Sequence, residues 1–128
     1  MNIVIVGQGA IGLLWYCQLY KSLKGKNQQT LLNISLRPSI ISSDIPETVN
    51  FTHLNNFRED FPLNIANDRE LAIADVFLIC VKSYHVKQAV LSITPFIKST
   101  ASIILSHNGM GTVDELPANL TDNHEILA

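Results

Sequence analysis

The first twelve residues constrain the fold of this chain more than any other segment. Residues 2–6 are almost entirely β-branched, which is typical of a strand buried on both faces of a parallel sheet. They lead directly into Gly7-x-Gly9-x-x-Gly12, and apolar residues at helical spacing follow. Because the glycines stand between a strand and a helix, they predict the opening βα unit of a dinucleotide-binding fold.

Each position of the glycine turn has a chemical interpretation. Gly7 makes a tight turn, Gly9 lets the backbone approach a pyrophosphate, and Gly12 allows the helix to pack closely on the strand. The helix that follows presents unpaired N–H groups and its positive dipole end to the phosphates. The predicted cofactor-binding segment is therefore Gly7, Gln8, Gly9, Ala10, Ile11 and Gly12. The alternative is a structural glycine turn that binds no ligand.

Strand and helix patterns alternate along the rest of the chain. Ile11, Leu14, Trp15 and Leu19 are spaced as the apolar face of the first helix. Further strands are predicted at residues 30–36, 49–53, 61–65, 76–81 and 102–105, and further helices at residues 85–92 and 112–116. Residues 49–53 and 61–65 are expected to form a hairpin on the sheet edge. The alternation predicts an α/β fold, a Rossmann-type, doubly wound, mostly parallel sheet with helices on both faces.

Length and composition indicate one ordinary globular domain over residues 1–128. The chain is 47% hydrophobic and 16% charged, and its net charge of −2 favours neither nucleic acid nor an anionic membrane. No apolar run approaches the roughly 20 residues that span a bilayer, and no secretory signal is expected. Cys17 and Cys80 stand among apolar residues, which suggests reduced thiols in a cytoplasmic protein. Several acids of the polar middle segment are expected to be solvated, namely Glu47, Glu59, Asp60, Asp68 and Glu70.

The residue after the second strand indicates which dinucleotide the turn would take. An acid there would accept hydrogen bonds from a ribose 2′-hydroxyl and would favour NAD. The chain instead has Arg37, and a guanidinium matches a 2′-phosphate in charge and geometry. Arg37 therefore predicts NADP(H), although its distance from Gly7 exceeds the usual spacing of about 20 residues. The alternative is an arginine that only caps a strand in solvent.

Two more polar residues follow predicted buried strands, where open α/β sheets place their ligands. Lys82 comes after residues 76–81 and could face a phosphate or a carboxylate. Asn108 comes after residues 102–105 and could offer a donor and an acceptor to a polar ligand. The alternatives are a solvated lysine and a turn asparagine before Gly109.

Taken together, these segments resemble the ketopantoate reductase (2-dehydropantoate 2-reductase) family. The most specific match is His107-Asn108-Gly109-Met110-Gly111-Thr112, supported by the glycine turn, Trp15, Arg37 and Val81-Lys82-Ser83. The resemblance implies NADPH-dependent reduction of 2-dehydropantoate to pantoate, a step towards pantothenate and coenzyme A. It implies that Lys82 lies beside the cofactor and that Asn108 touches both cofactor and substrate.

The same resemblance implies a helical C-terminal domain for catalysis and dimerisation, which these 128 residues do not contain. Residues 125–128 look like the start of a buried strand, as expected of the cofactor half of a longer protein. No catalytic residue is therefore assigned in this chain, which is expected to be inactive alone. The sequence leaves open whether it forms a homo-oligomer.

Two other functions fit the same first half. One is a non-enzymatic dinucleotide-sensing module, which would be expected to carry an acid where Arg37 stands. The other is the cofactor half of another 2-oxo-acid or polyol-phosphate reductase. The four histidines are dispersed along the chain and give no metal-binding spacing with either cysteine, so no metal site is expected.

Overall fold

A five-stranded parallel sheet organises the molecule. The computed structural model describes residues 1–24, 33–38, 46–106, 116 and 118–127. The described strands are β1 Asn2–Val6, β2 Asn33–Arg37, β3 Thr48–Thr52, β4 Arg58–Pro62, β5 Val76–Ile79, β6 Ser102–Leu105 and β7 Glu125–Leu127. The described helices are α1 Ala10–Lys24, α2 Asp68–Ile73, α3 Val86–Ile93 and α4 Ala118–Asn123, with 3₁₀ turns at Ser83–His85 and Thr94–Phe96.

The order of strands in the sheet is β2-β1-β5-β6-β7, and every neighbouring pair is parallel. Successive side chains of a strand point to opposite faces, so each inner strand contributes side chains to a hydrophobic core on each face of the sheet. One core joins the sheet to α2, α3 and α4, and the other joins it to α1 and the β3–β4 hairpin. The predicted α/β class, with helices on both faces of a mostly parallel sheet, is confirmed.

The predicted apolar face of α1 is wrong except at Leu19, which is partly buried against the core. Ile11 is 52% exposed and Trp15 is 43% exposed, whereas Tyr16 and Cys17 are buried. The reason lies at Gly12, where an added Cβ would stand 2.2 Å from the carbonyl oxygen of Gly7. This close approach fixes the rotation of the helix, and residues one turn beyond Gly12 then face the sheet.

The hairpin exists, but its place and its second strand differ from the prediction. β3 and β4 form a separate antiparallel two-stranded sheet that packs on α1 through Val49 and Phe61. The edge of β2 is covered instead by residues 64–66, because the Leu36 N–H donates to Asn64 O and the Ala66 N–H donates to Leu36 O. β4 begins at Arg58, earlier than predicted, since an exposed two-stranded sheet tolerates polar residues.

Other boundaries shift by a few residues. β5 ends at Ile79, so the predicted strand 76–81 is two residues too long. β7 is a strand as predicted, but its Glu125 and Leu127 are exposed, because among the described strands only β6 pairs with it. The helices α2 and α4 were not predicted. Residues 30–32, residues 112–115 and Ala128 lie outside the described residues.

None of the helices in the described ranges is long and apolar enough to cross a membrane.

Candidate functional site

The glycine turn lies at the carboxyl end of β1, between the neighbouring strands β2 and β5. Gly7 has φ +114°, a backbone conformation that side chains disfavour. A Cβ on Gly7 would also stand 2.8 Å from the carbonyl oxygen of Cys80. The Gly7 N–H donates to Arg37 O at 2.9 Å, and the Cys80 N–H donates to Val6 O at 2.9 Å. The turn is thus tied to the residues that end β2 and follow β5.

Gly9 and Gly12 have opposite surroundings. Gly12 is buried and faces the Gly7 carbonyl, so any side chain there would push α1 off the turn. Gly9 is exposed, and a Cβ added there would meet no heavy atom within 4 Å. No packing demand of the described residues explains a glycine at position 9. The open space in front of it is what close approach of a ligand to the backbone requires.

The amino end of α1 begins directly after Gly9. The Leu13 N–H donates to Gly9 O at 3.0 Å, so the N–H groups of Ala10, Ile11 and Gly12 come before the first intrahelical bond. The first turn of α1 contains no acidic residue. Three N–H groups and the positive end of a fifteen-residue helix therefore lie beside Gly9, an arrangement that attracts anions.

A cleft of about 340 Å³ opens in front of the turn. It is lined by Gly7, Gln8, Gly9, Cys80, Val81, Lys82, Tyr84 and His85. The structure thus brings Lys82 to the glycine turn, as the sequence predicted. The Lys82 ammonium has no carboxylate partner among the described residues and lies 6.0 Å from the centre of the Tyr84 ring. It is a cation available to a ligand in the cleft.

Tyr84 and His85 were missed by sequence reasoning. Tyr84 is 70% exposed, and its ring lies 4.4 Å from the ring of His85, centre to centre. Both residues lie in the 3₁₀ turn that begins directly after Lys82. The available signal was their position just beyond a buried strand, at the edge where such sheets bind ligands.

Arg37 lies at the carboxyl end of β2, next to the turn. Its side chain is 22% exposed, and its Nη1 donates to Ala66 O at 3.2 Å. Nη1 also lies 4.0 Å from Oδ1 of Asp68, the first residue of α2. Arg37 is therefore held by the segment that covers the edge of β2, and is not simply a solvated residue at a strand end. Asp68, expected in a solvated face, pairs loosely with it.

Asn108 lies outside the described residues, so its place relative to the turn stays a prediction. The residue before that segment, Ser106, lies at the same edge of the sheet, where its N–H donates to Ile79 O at 2.9 Å.

The buried cysteines contribute packing to this region. Burial raises the pKa of the Cys80 thiol to about 11, so Cys80 stays protonated beside Gly12. Burial also raises the pKa of Cys17. In the part of the chain that the structure describes, no cluster of three or more histidines, cysteines or acids could hold a metal ion.

The surroundings of the cleft can therefore bind two anionic groups. The turn and α1 offer N–H donors to one, with Lys82 nearby, and Arg37 offers a guanidinium to another at the end of β2. The family model described as ketopantoate reductase PanE/ApbA matches residues 3–128. The chain belongs to this family.

A curated relative is similar in sequence, and two solved structures are similar in fold. The chain is 35% identical over 121 residues to the 2-dehydropantoate 2-reductase of Yersinia pestis, an alignment that covers 93% of this chain and 36% of that protein. A PanE/ApbA family ketopantoate reductase from Ralstonia eutropha superposes with a TM-score of 0.73 at 22% identity, covering 98% of this chain and 40% of the other. D-mandelate dehydrogenase, solved with NADH and anilino(oxo)acetate, superposes with a TM-score of 0.69 at 19% identity. The superposition covers 98% of this chain and 40% of the dehydrogenase. The chain thus spans little more than a third of the length of its relatives.

Proposed function

We propose that this chain is the NADPH-binding domain of a 2-dehydropantoate 2-reductase, which reduces 2-dehydropantoate to pantoate in the synthesis of pantothenate and coenzyme A. The observation that carries the proposal is that two features occur together: Gly9 is open to the cleft, and Arg37 stands at the end of β2. The reaction itself is inferred from membership of the ketopantoate reductase family. The buried, free thiols of Cys17 and Cys80 support a cytoplasmic location.

In this proposal the described residues bind and orient the cofactor. The turn Gly7–Gly12 and the amino end of α1 donate N–H groups to the pyrophosphate, and Arg37 pairs with the 2′-phosphate. Lys82 adds positive charge on the cleft side of the turn. When bound, NADPH would supply a hydride for the 2-oxo carbon of the substrate. Asn108 is assigned to contact both the cofactor and 2-dehydropantoate, on the strength of the family motif alone.

No residue of this chain is assigned the catalytic proton transfer. A reductase must stabilise the alkoxide that develops as hydride arrives, and it must hold donor and carbonyl together. The chain covers 36% of its Yersinia pestis relative, so most of that machinery is assigned to the part of the relative that has no counterpart in these 128 residues. We propose that this part binds cofactor and has little activity by itself. Neither nucleic acid nor a membrane is a proposed partner, and a homo-oligomer stays a prediction.

A second candidate is the cofactor half of another 2-oxo-acid reductase. The D-mandelate dehydrogenase likeness favours it, because that neighbour shares the fold over 98% of this chain and was solved with NADH. A sensing module is less well supported, since the family consists of reductases. The identity of the cofactor therefore deserves the first experiment.

Calorimetric titration of NADPH and NADH into the wild type and Arg37→Ala tests the proposal. We expect NADPH to bind more tightly than NADH, and Arg37→Ala to lose about tenfold or more of the NADPH affinity, as charge-assisted contacts to phosphate imply. Arg58→Ala is the matched control, because Arg58 is an exposed arginine that also pairs with an acid. Equal affinities of the wild type for both cofactors would contradict the assignment of Arg37.

A further inference from the structure

The tertiary structure places an acid beside the arginine that ends β2. Asp68 Oδ1 lies 4.0 Å from Arg37 Nη1, and the Asp68 side chain is 72% exposed. In the sequence, Arg37 and no acid comes at the end of β2. Asp68 nevertheless lies beside Arg37 in the folded chain, although it belongs to α2, which follows the β3–β4 hairpin in the sequence.

The backbone fixes Asp68 at this position. The hydrogen bonds between Leu36 and residues 64–66 hold the segment before α2 against β2. A capping box then starts the helix, with the Asn67 side chain accepting from the Glu70 N–H at 3.0 Å and the Glu70 side chain accepting from the Asn67 N–H. Asp68 follows Asn67 directly, so its backbone stays near Arg37 as long as this end of α2 is folded.

Arg37 does not depend on Asp68 for its orientation. Its Nη1 already donates to Ala66 O at 3.2 Å, and its stem is largely buried. The separation of 4.0 Å from Asp68 Oδ1 is long for an ion pair, and the carboxylate is well solvated. The negative charge of Asp68 therefore faces the space next to the guanidinium without being neutralised by a tight pair.

An arginine and an acid at this point favour different dinucleotides. The guanidinium attracts a 2′-phosphate, whereas the carboxylate repels it. The carboxylate can instead accept a hydrogen bond from a free 2′-hydroxyl. The charge of Asp68 thus works against the selection that Arg37 makes.

We propose that Asp68 is a specificity-determining residue that reduces the preference of this site for NADPH over NADH. The inference rests on the proposed function, since it requires a dinucleotide on the glycine turn. Arg37 sets the direction of the preference and Asp68 limits its size. Neutralising Asp68 should make the site more selective for NADPH.

The test is the ratio of the NADH dissociation constant to the NADPH dissociation constant, measured by titration calorimetry. Asp68→Asn should raise this ratio about threefold or more at low ionic strength, the scale of an exposed charge interaction. The increase should shrink when the salt is raised from about 0.01 M to about 1 M, because screening then acts over a few ångströms. A thermal melt verifies that the variant keeps its fold.

Asp60→Asn is the matched control. Asp60 is an exposed acid paired with Arg58 at 3.5 Å on the hairpin, so its replacement changes the net charge equally. It should leave the ratio unchanged. An unchanged ratio in Asp68→Asn overturns the inference, and a lower ratio would mean that Asp68 orients Arg37. An equal rise of the ratio in Asp68→Asn and Asp60→Asn would mean that only the net charge matters, and this would also overturn the inference. A wild type that binds neither cofactor would refute the proposed function itself.

Discussion

At the residue scale, the three glycines of the turn have separable roles. Gly7 and Gly12 are required by the protein itself, because a Cβ at either would collide with a backbone carbonyl. Gly9 faces only open space. Substitution at Gly9 should therefore affect the ligand, whereas substitution at Gly12 should affect the fold.

Gly9→Val should abolish NADPH binding and leave the far-ultraviolet circular dichroism and the melting temperature nearly unchanged. The valine side chain would occupy the space through which a pyrophosphate reaches the backbone. Gly12→Ala is the contrasting variant and should lower the melting temperature, since its Cβ would stand 2.2 Å from Gly7 O. Normal binding of NADPH by Gly9→Val would refute the phosphate-cradle interpretation.

At the scale of elements, one tyrosine joins α1 to the hairpin and to the strand edge. The Tyr16 hydroxyl donates to Pro62 O at 2.7 Å and accepts from the Asn64 N–H at 2.9 Å. Tyr16 is fully buried, and its ring stacks near Tyr20. A single hydroxyl thus connects α1, the end of β4, and the segment that covers β2 and leads to Asp68.

Tyr16→Phe should destabilise the fold by about 1–3 kcal/mol, because a carbonyl and an N–H would lose their shared partner in a buried place. For a domain of this size, the melting temperature should fall by several degrees, at about 2–8 °C per kcal/mol. Tyr84→Phe is the control, since the Tyr84 ring is largely exposed and should not affect stability. Equal melting temperatures of Tyr16→Phe and the wild type would show that water replaces the hydroxyl without cost.

At the scale of the whole molecule, the described residues form a parallel sheet with the candidate cleft at the carboxyl ends of β1 and β5. The sheet has a core on each face, so binding of cofactor should not need further sequence. The chain covers only 36% of its Yersinia pestis relative, however, and no catalytic residue is assigned in it. Folding and cofactor binding should therefore be separable from turnover.

This chain alone should bind NADPH but should not reduce 2-dehydropantoate at a useful rate. Holding hydride donor and carbonyl in a near-attack arrangement is worth several kcal/mol of barrier, and one side of a cleft cannot supply it. The measurement follows NADPH absorbance with 2-dehydropantoate present. Turnover near about 1 s⁻¹, within the ordinary range of enzymes, would contradict this expectation. Loss of that turnover in Lys82→Ala would then identify Lys82 as the first catalytic candidate.

The amino-acid sequence by itself determined the opening βα unit, the parallel α/β class and the position of Lys82 beside the turn. Each depends on local patterns: β-branched runs, the spacing of three glycines, and the rule that parallel strands end at one edge. The start of α2 also has a local signal in the sequence, because Asn67 and Glu70 have capping-box spacing.

Only the tertiary structure decided which face of α1 is buried and which acid meets Arg37. Helical spacing predicted one apolar face on α1, at Ile11, Leu14, Trp15 and Leu19, whereas the contact of Gly12 with the Gly7 carbonyl turns Tyr16 and Cys17 to the sheet. The Arg37–Asp68 pair depends on how residues 64–66 cover β2, a pairing between distant segments that leaves no periodic trace in either one. Hydrogen bonds between remote backbones are set by the whole packed sheet, so no local reading of the sequence could have placed that charge.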